Sequence, residues 1–288
     1  MKIAVIGANG QFGADIVRAA RARGVDVIEL THAECDVRDE PSLHRALEGV
    51  AAGDVVVNTA AAHHVDECET DPETAVAINA RGAYHVARAT AARGATAVFV
   101  STDFVFDGVK RAPYVETDQP APLNVYGATK YAGEALTRSA RQHYIIRVSS
   151  LFGIGGARGK GGNFVETMVA RARVGEVPKV VDDIVMSPTS TADAAGLLLD
   201  LLARAAPFGI YHCSNAGACT WREFADEIFA QCGLALRAQP SNAKEAGRRA
   251  RRPAYSALAS ERLAQLDLRA RPWREALADY LRAKGYRA

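Results

Sequence analysis

Charge of one sign is what this chain most plainly lacks. Its 35 lysines and arginines nearly balance 33 aspartates and glutamates, leaving a formal charge of +2 and a pI near 8.3. So close a balance offers no electrostatic footing for nucleic acid, and none is expected as a partner. Cysteine is sparse as well. Cys35, Cys68, Cys213, Cys219 and Cys232 are odd in number and form no CxxC pair, which argues against a disulfide framework or a zinc site. The setting expected from this is reducing and cytoplasmic. No run approaches the ~20 apolar residues of a membrane span. The opening Lys2-Ile3-Ala4-Val5-Ile6 has no basic segment leading into a long apolar one, so neither a leader nor a membrane partner is expected. Repeats and low-complexity stretches are missing too. The 288 residues can therefore build one long domain or two lobes that share a core.

What is present is a rhythm of strands and helices. Residues 2–6 are an apolar run stopped by Gly7, Gly10 and Gly13 before a helical pattern opens at Ile16, Val17 and Ala20. In this order, Gly7 permits a tight turn, Gly10 lets a pyrophosphate approach the backbone, and Gly13 lets helix and strand pack closely. A dinucleotide site is expected there. A second strand over 25–30 is not followed by the acidic residue that commonly holds the ribose hydroxyls of NAD; Thr31 and His32 stand at that point. His32 tolerates a 2′-phosphate, which makes NADPH at least as good an expectation as NADH. Cys35-Asp36-Val37 then forms an acidic loop placed to meet an adenine edge.

A short helix over 41–50 follows, and a buried strand over 54–58 ends in Thr59-Ala60-Ala61-Ala62, small enough for backbone to approach a ligand. A long helix is predicted over 72–93, with Asn79 read as a solvated position. Further strands are predicted over 96–101 and 144–148. Alternation at this interval predicts an α/β fold, a Rossmann-type doubly wound parallel sheet with right-handed crossovers. Its ligands should lie outside the carboxyl ends of the strands, where Gly7, Ala60, Thr102 and Ser149 fall.

After residue 150 the rhythm breaks. The expected division is an NAD(P)-binding domain over 1–150, with 189–205 returning to it, and a smaller substrate-binding lobe over 151–288. Gly153, Gly155, Gly156, Gly159, Gly161 and Gly162, with Arg158 and Lys160 among them, make either a mobile surface loop or a lid. Arg248, Arg249, Arg251 and Arg252 are either a solvated loop or a site for a phosphorylated ligand. His63 and His64 are neighbours whose side chains should point apart, which argues against a metal.

The chemistry gathers at three residues. Thr102 ends the strand Val98-Phe99-Val100-Ser101, and Tyr126 and Lys130 lie four apart, one turn along the same helix face. A hydroxyl, a phenol and an amine at a sheet edge can move a proton to or from a carbonyl. A free phenol titrates at about 10. An ammonium about 4 Å away, at an effective dielectric of ~20, favours the phenolate by roughly 4 kcal/mol before desolvation opposes it. On that argument Tyr126 should titrate near neutrality, Thr102 should hydrogen-bond the substrate carbonyl, and Lys130 should also hold the nicotinamide ribose.

These residues sit in longer strings: Gly7-Ala8-Asn9-Gly10-Gln11-Phe12-Gly13, Asn58-Thr59-Ala60-Ala61-Ala62, Val65-Asp66-Glu67-Cys68-Glu69, and Ser101-Thr102-Asp103-Phe104-Val105-Phe106-Asp107-Gly108. With Tyr126-Gly127-Ala128-Thr129-Lys130, Ser187-Pro188-Thr189, Trp221-Arg222-Glu223-Phe224-Ala225 and Arg252-Pro253-Ala254-Tyr255-Ser256, they cover nearly the whole chain. The chain resembles the extended short-chain dehydrogenase/reductase family and, within it, the dTDP-4-dehydrorhamnose reductases. The resemblance implies reduction of the C4 ketone of a nucleoside-diphosphate 4-keto-6-deoxy sugar by NADPH or NADH, with Thr102, Tyr126 and Lys130 catalytic and Tyr126 the proton donor. It also implies cofactor contacts from Gly7, Gly10, Gln11, Phe12, Gly13, Thr31, His32, Asp36, Val37, Ala60, Ala61, Ala62 and Asn79, besides Tyr126 and Lys130. Substrate contacts are implied for Val65, Asp103, Phe104 and Asn163, and a homodimer is an open expectation. Related dehydratases carry a Glu where Phe104 stands, and an aromatic ring cannot deprotonate C5. Met186 and His63-His64 depart from the family pattern near the expected sugar. A non-catalytic cofactor-binding subunit and an epimerase, or a reductase of another nucleotide sugar, stay open as alternatives.

Overall fold

The computed structural model describes residues 1–156 and 162–287. The glycine loop expected as a lid falls partly on 157–161, outside the described residues. The first half alternates as the apolar pattern requires: β1 (Lys2–Ile6), α1 (Gln11–Ala22), β2 (Asp26–Leu30), α2 (Glu40–Ala46), β3 (Val55–Asn58), α3 (Val65–Thr70), α4 (Pro72–Val76), α5 (Ala83–Ala91), β4 (Thr96–Thr102), α6 (Val125–Thr137) and β5 (His143–Val148). The second half is more broken: β6 (Leu151–Phe152), α7 (Phe164–Arg173), β7 (Lys179–Val181), β8 (Val185–Met186), β9 (Thr189–Ser190), α8 (Thr191–Ala203), β10 (Gly209–His212), β11 (Cys219–Thr220), α9 (Trp221–Gln231), β12 (Gln239–Ser241), α10 (Glu261–Gln265) and α11 (Trp273–Ala283).

The central sheet is six-stranded in the order β10-β5-β4-β3-β1-β2, and every pair in it is parallel. Both faces are covered, so β1 reads as a continuous apolar run whose alternate side chains serve different layers. Ile3 and Val5 pack with Ile16 and Val17 of α1 and Leu198 and Leu201 of α8. Ala4 and Ile6 pack with Leu43, Leu47, Val86 and Ala89 on the other side. The order of strands reverses beside β1, between β2 and β3, and this switch point leaves a crevice at the carboxyl ends of β1 and β3. A separate apolar cluster joins Phe152, Val165, Met168, Phe224, Ile228, Trp273 and Leu277, all from beyond residue 150.

The helix expected over 72–93 runs unbroken from Pro72 to Ala91 but changes its winding midway. Residues Ala77–Gly82 form a π-turn between α4 and α5, and Asn79 lies in it with 0% of its surface exposed. The solvated reading of Asn79 is therefore corrected. Its amide donates to the Ala62 carbonyl (3.1 Å) and to Thr129 Oγ1 (3.0 Å), while its carbonyl accepts from Ala62 N–H (2.9 Å). The local widening of the helix turns a polar side chain inward, where it ties the loop after β3 to α6.

Candidate active site

The glycine turn is built by contact, since its backbone comes too close to neighbours for a side chain. Gly7 has φ +79°, and a Cβ there would lie 2.5 Å from Thr59 Oγ1. At Gly13 a Cβ would lie 2.2 Å from the Gly7 carbonyl oxygen. Gly10 precedes α1 and offers no side chain to cap it, so the first-turn amides of α1 face the crevice as an anion site. Thr59 Oγ1 donates to the Ile6 carbonyl at 2.7 Å and fixes β3 against the turn.

One cavity of about 690 Å³ joins this turn to the proton-handling residues. Gly7, Gly10, Gln11, Phe12 and Gly13 line it, as do His32, Asp36, Val37, Ala60, Ala61 and Val65. Thr102, Asp103, Phe104, Tyr126, Lys130 and Asn163 line it too. Thr31, Ala62 and Asn79 are not among its described lining residues. Thr31 N–H instead donates to Glu34 (2.8 Å), and Ala62 and Asn79 bond to each other, so their part is to shape the wall.

Thr102 ends β4 and is 6% exposed. Its hydroxyl accepts from Phe104 N–H (3.2 Å) and donates to Asp103 Oδ1 (3.1 Å). Asp103 also accepts from the hydroxyls of Ser149 (3.0 Å) and Ser256. Burial pushes the Asp103 carboxyl up to about 6, with these hydroxyls pulling the other way. Its acceptor sites are thus taken up by the protein, and it acts as a strut between β4, β5 and the C-terminal segment. Asn163 is similar: its amide nitrogen is shared among the Gly153 carbonyl (3.1 Å), Tyr280 Oη (3.0 Å) and Gln11 (3.5 Å), and its oxygen caps α7.

Tyr126 and Lys130 project from the first turns of α6, which Asn124 caps through the Gly127 N–H (2.7 Å). Phe104 sets its ring edge-on to Tyr126, centroids 5.9 Å apart. The expectation that Tyr126 titrates near neutrality is overturned. Burial raises its pKa well above the usual phenol value; Thr102 hydrogen-bonds the phenol and lowers it, while Asp103 and Cys68 raise it further. Lys130 is 2% exposed, with its Nζ 4.1 Å from the centre of the Phe99 ring. Burial drops its pKa to about 7 against the pull of Glu134. The physical reason is common to both: the pocket disfavours either charge, so desolvation outweighs the attraction assumed from the spacing. A protonated phenol is the form that can give a proton away.

Arg38 joins the cavity wall without having been among the residues expected there. It lines the cavity beside His32 and grips Asp36 through Nε (3.0 and 3.1 Å) and Nη2 (2.7 Å), holding that carboxyl at about 2. An Arg two residues after an Asp in a loop is the signal that could have found it. His63, Ser150 and Leu151 line the cavity as well. Among the described residues no group of His, Cys, Asp and Glu is arranged to hold a metal ion. Met186 is buried in the second apolar cluster and stays off the cavity wall. Of the arginine cluster, Arg248, Arg249 and Arg251 are exposed, as the solvated-loop reading has it, and Arg252 is the exception. Arg252 is bound to Asp66 (2.9 and 3.2 Å), which also takes the Ala250 N–H, so this pair clips the C-terminal segment to α3. Among the described residues no helix is long and apolar enough to cross a membrane.

Comparison with known proteins follows the same geometry. Residues 1–285 match the family model described as the RmlD substrate binding domain. The chain is 39% identical to the spore coat polysaccharide biosynthesis protein SpsK of Bacillus subtilis, over 98% of each chain. It is also 39% identical to a dTDP-4-dehydrorhamnose reductase of Mycolicibacterium smegmatis, covering 98% of this chain and 85% of that one. Among solved structures, the dTDP-4-dehydrorhamnose reductase of Bacillus anthracis in complex with NADP superposes with a TM-score of 0.91 at 33% identity, covering 98% of this chain and 100% of that one. A UDP-glucose 4-epimerase of Thermus thermophilus, at 22% identity, shares the fold with a TM-score of 0.82 over 98% of this chain and 99% of that one. With the family model matched over residues 1–285 and relatives at 39% identity over nearly its whole length, the chain belongs to the RmlD substrate-binding-domain family.

Proposed function

We propose that this chain reduces the C4 ketone of a nucleoside-diphosphate 4-keto-6-deoxy sugar with NADPH or NADH. The observation that carries the reading is the single cavity that joins the glycine turn to Thr102, Tyr126 and Lys130. The turn fits a dinucleotide, because Gly7 and Gly13 lack the Cβ atoms that would collide with Thr59 Oγ1 and the Gly7 carbonyl, so the turn packs tightly at the start of α1 while Gly7, Gly10 and Gly13 line the cavity. His32 and Arg38, both cavity-lining, support NADPH. When bound, the nicotinamide supplies the hydride. Tyr126 gives its phenolic proton to the ketone oxygen, and Thr102 orients that oxygen and the phenol through its hydroxyl. Lys130, as an ammonium, stabilises the phenolate left behind. Phe104, edge-on to Tyr126, stands at the sequence position where the resemblance puts the Glu of related dehydratases, and a ring there offers dehydration no proton acceptor.

The same reading assigns residues 1–150 with 189–205 to the cofactor and the rest of 151–288 to the substrate. It sets the enzyme in the cytoplasm and includes a homodimer, which sedimentation of the purified chain measures. The function is tested with NADPH deuterated at its reactive carbon and dTDP-4-keto-6-deoxy sugar. Deuterium at C4 of the product is expected. Unchanged cofactor with every 4-keto nucleotide sugar offered overturns the reading, and cofactor binding without turnover would favour a non-catalytic subunit.

A further inference from the structure

The loop after β2 carries four residues that line the cavity, Cys35, Asp36, Val37 and Arg38. Its hold on the rest of the fold comes from α2 and from the approach to α5. Asp36 N–H donates to Ser42 Oγ of α2 at 3.2 Å. Val37 is 4% exposed, and a Cβ at Gly82, just ahead of α5, would come 2.7 Å from its Cγ2. The Val37 carbonyl oxygen lies 3.1 Å from Nδ1 of His85, the third residue of α5. Nε2 of the same ring lies 3.3 Å from Glu40 Oε1 at the start of α2, and the His85 side chain is 11% exposed. One imidazole thus bridges the loop and the helix that follows it.

Both partners of this ring are acceptors. Neither a carbonyl nor a carboxylate oxygen has a hydrogen to give, so each ring nitrogen serves its partner only when it carries one. The neutral ring has a single N–H and turns a lone pair on one partner; the imidazolium serves both. The carboxylate facing the ring from α2 is Glu40, while His44, one turn further along α2, is exposed. Asp36 and Arg38, on either side of Val37, are paired with each other at 2.7 Å. On α5 the Tyr84 ring is 6.3 Å away and carries Arg88 over its face, and Arg81, in the turn before α5, is exposed. We propose that His85 is a positioning residue for the cofactor: as an imidazolium held by Glu40, it anchors the Val37 carbonyl and keeps the Cys35–Arg38 wall formed before the dinucleotide arrives. The inference rests on reading the glycine turn and this loop as the dinucleotide site, and adds a proton-dependent anchor behind the wall. His85 is not among the described lining residues of the cavity, so its effect on binding passes through the loop, whose ordering a bound cofactor would otherwise have to supply.

The test is calorimetric titration with NADPH at about pH 6 and about pH 8, on either side of the ordinary histidine value. His85→Asn keeps an amide N–H where Nδ1 stands and carries no charge. The parent should lose about threefold more NADPH affinity than His85→Asn between the two pH values, the size of one partly exposed ion pair. His32 and Lys130 line the cavity in both proteins, so their titration cancels in this difference. His85→Leu removes the donor to Val37 and should weaken NADPH about five- to tenfold at the lower pH, raising its KM with kcat changed less than about twofold. If His85→Leu does not fold, the pH profile of His85→Asn decides. The proposal is overturned if His85→Leu binds NADPH as tightly as the parent, or if His85→Asn keeps the full pH dependence of the parent. Equal binding by all three proteins overturns it alone, whereas no NADPH binding by the parent overturns it together with the cofactor reading.

Discussion

The buried ion pair beneath the site gives the sharpest quantitative handle. Glu134 is 0% exposed and Arg147 is 1% exposed. They are joined by two bonds, Nε to Oε1 at 2.8 Å and Nη2 to Oε2 at 2.7 Å, and Ser101 Oγ adds a third to Oε1 at 2.6 Å. The three residues belong to α6, β5 and β4, and in the sheet Ser101 lies opposite Arg147. This clamp therefore docks the helix bearing Tyr126 and Lys130 onto the strand that ends at Thr102. Glu134→Gln removes the anion and leaves a guanidinium in the core, where breaking such a pair costs about 3–5 kcal/mol. That is a large share of the ~5–15 kcal/mol that holds a folded protein together, and for a chain of this size it lowers Tm by on the order of 10 °C. Urea unfolding is the assay, with a lower midpoint and an unchanged slope expected. Glu134→Leu combined with Arg147→Met takes both charges away and should recover most of the loss. A single variant within ~1 kcal/mol of the parent, or a double variant no better than the single, would refute the reasoning.

Asp103 has its folded pKa raised to about 6, so its contribution to stability is fully present below its unfolded value of about 4 and is lost as pH rises through 6. The loss is roughly 3 kcal/mol at most, and Asp103→Asn should remove that slope from a plot of unfolding free energy against pH. Lys130, lowered to about 7, should make kcat/KM for NADPH fall above that pH, while Lys130→Met should give a low and pH-flat profile. Gly13→Ala places a Cβ 2.2 Å from the Gly7 carbonyl oxygen and should weaken NADPH binding at least tenfold by calorimetry; wild-type affinity would mean the turn is not the cofactor site.

How much of this could be read from residues alone varies with the range of the interaction. The parallel sheet was legible because strand and helix periods and the glycine spacing are local. That Thr102, Tyr126 and Lys130 would line one cavity was legible for the same reason, as a strand end and an i,i+4 pair. Electrostatics was not. The spacing of Tyr126 and Lys130 suggested mutual stabilisation, and only the burial of both shows that desolvation wins. Asn79 looked like a solvated helix position, because nothing local announces a π-turn that rotates it toward Ala62. The roles of Asp103 and Asn163 depend on partners far along the chain, Ser256 and Tyr280 among them, and no periodicity carries that information. Arg252 follows the same rule, since its partner Asp66 is 186 residues away.

The central claim is that Tyr126 delivers the proton that completes ketone reduction. The most direct measurement is single-turnover NADPH oxidation with dTDP-4-keto-6-deoxy sugar by the parent and by Tyr126→Phe, with cofactor affinity measured on both. The account predicts a loss of at least ~100-fold in the oxidation rate, as expected for removing a positioned acid, with NADPH affinity changed less than about threefold. Oxidation by Tyr126→Phe at the rate of the parent would contradict it.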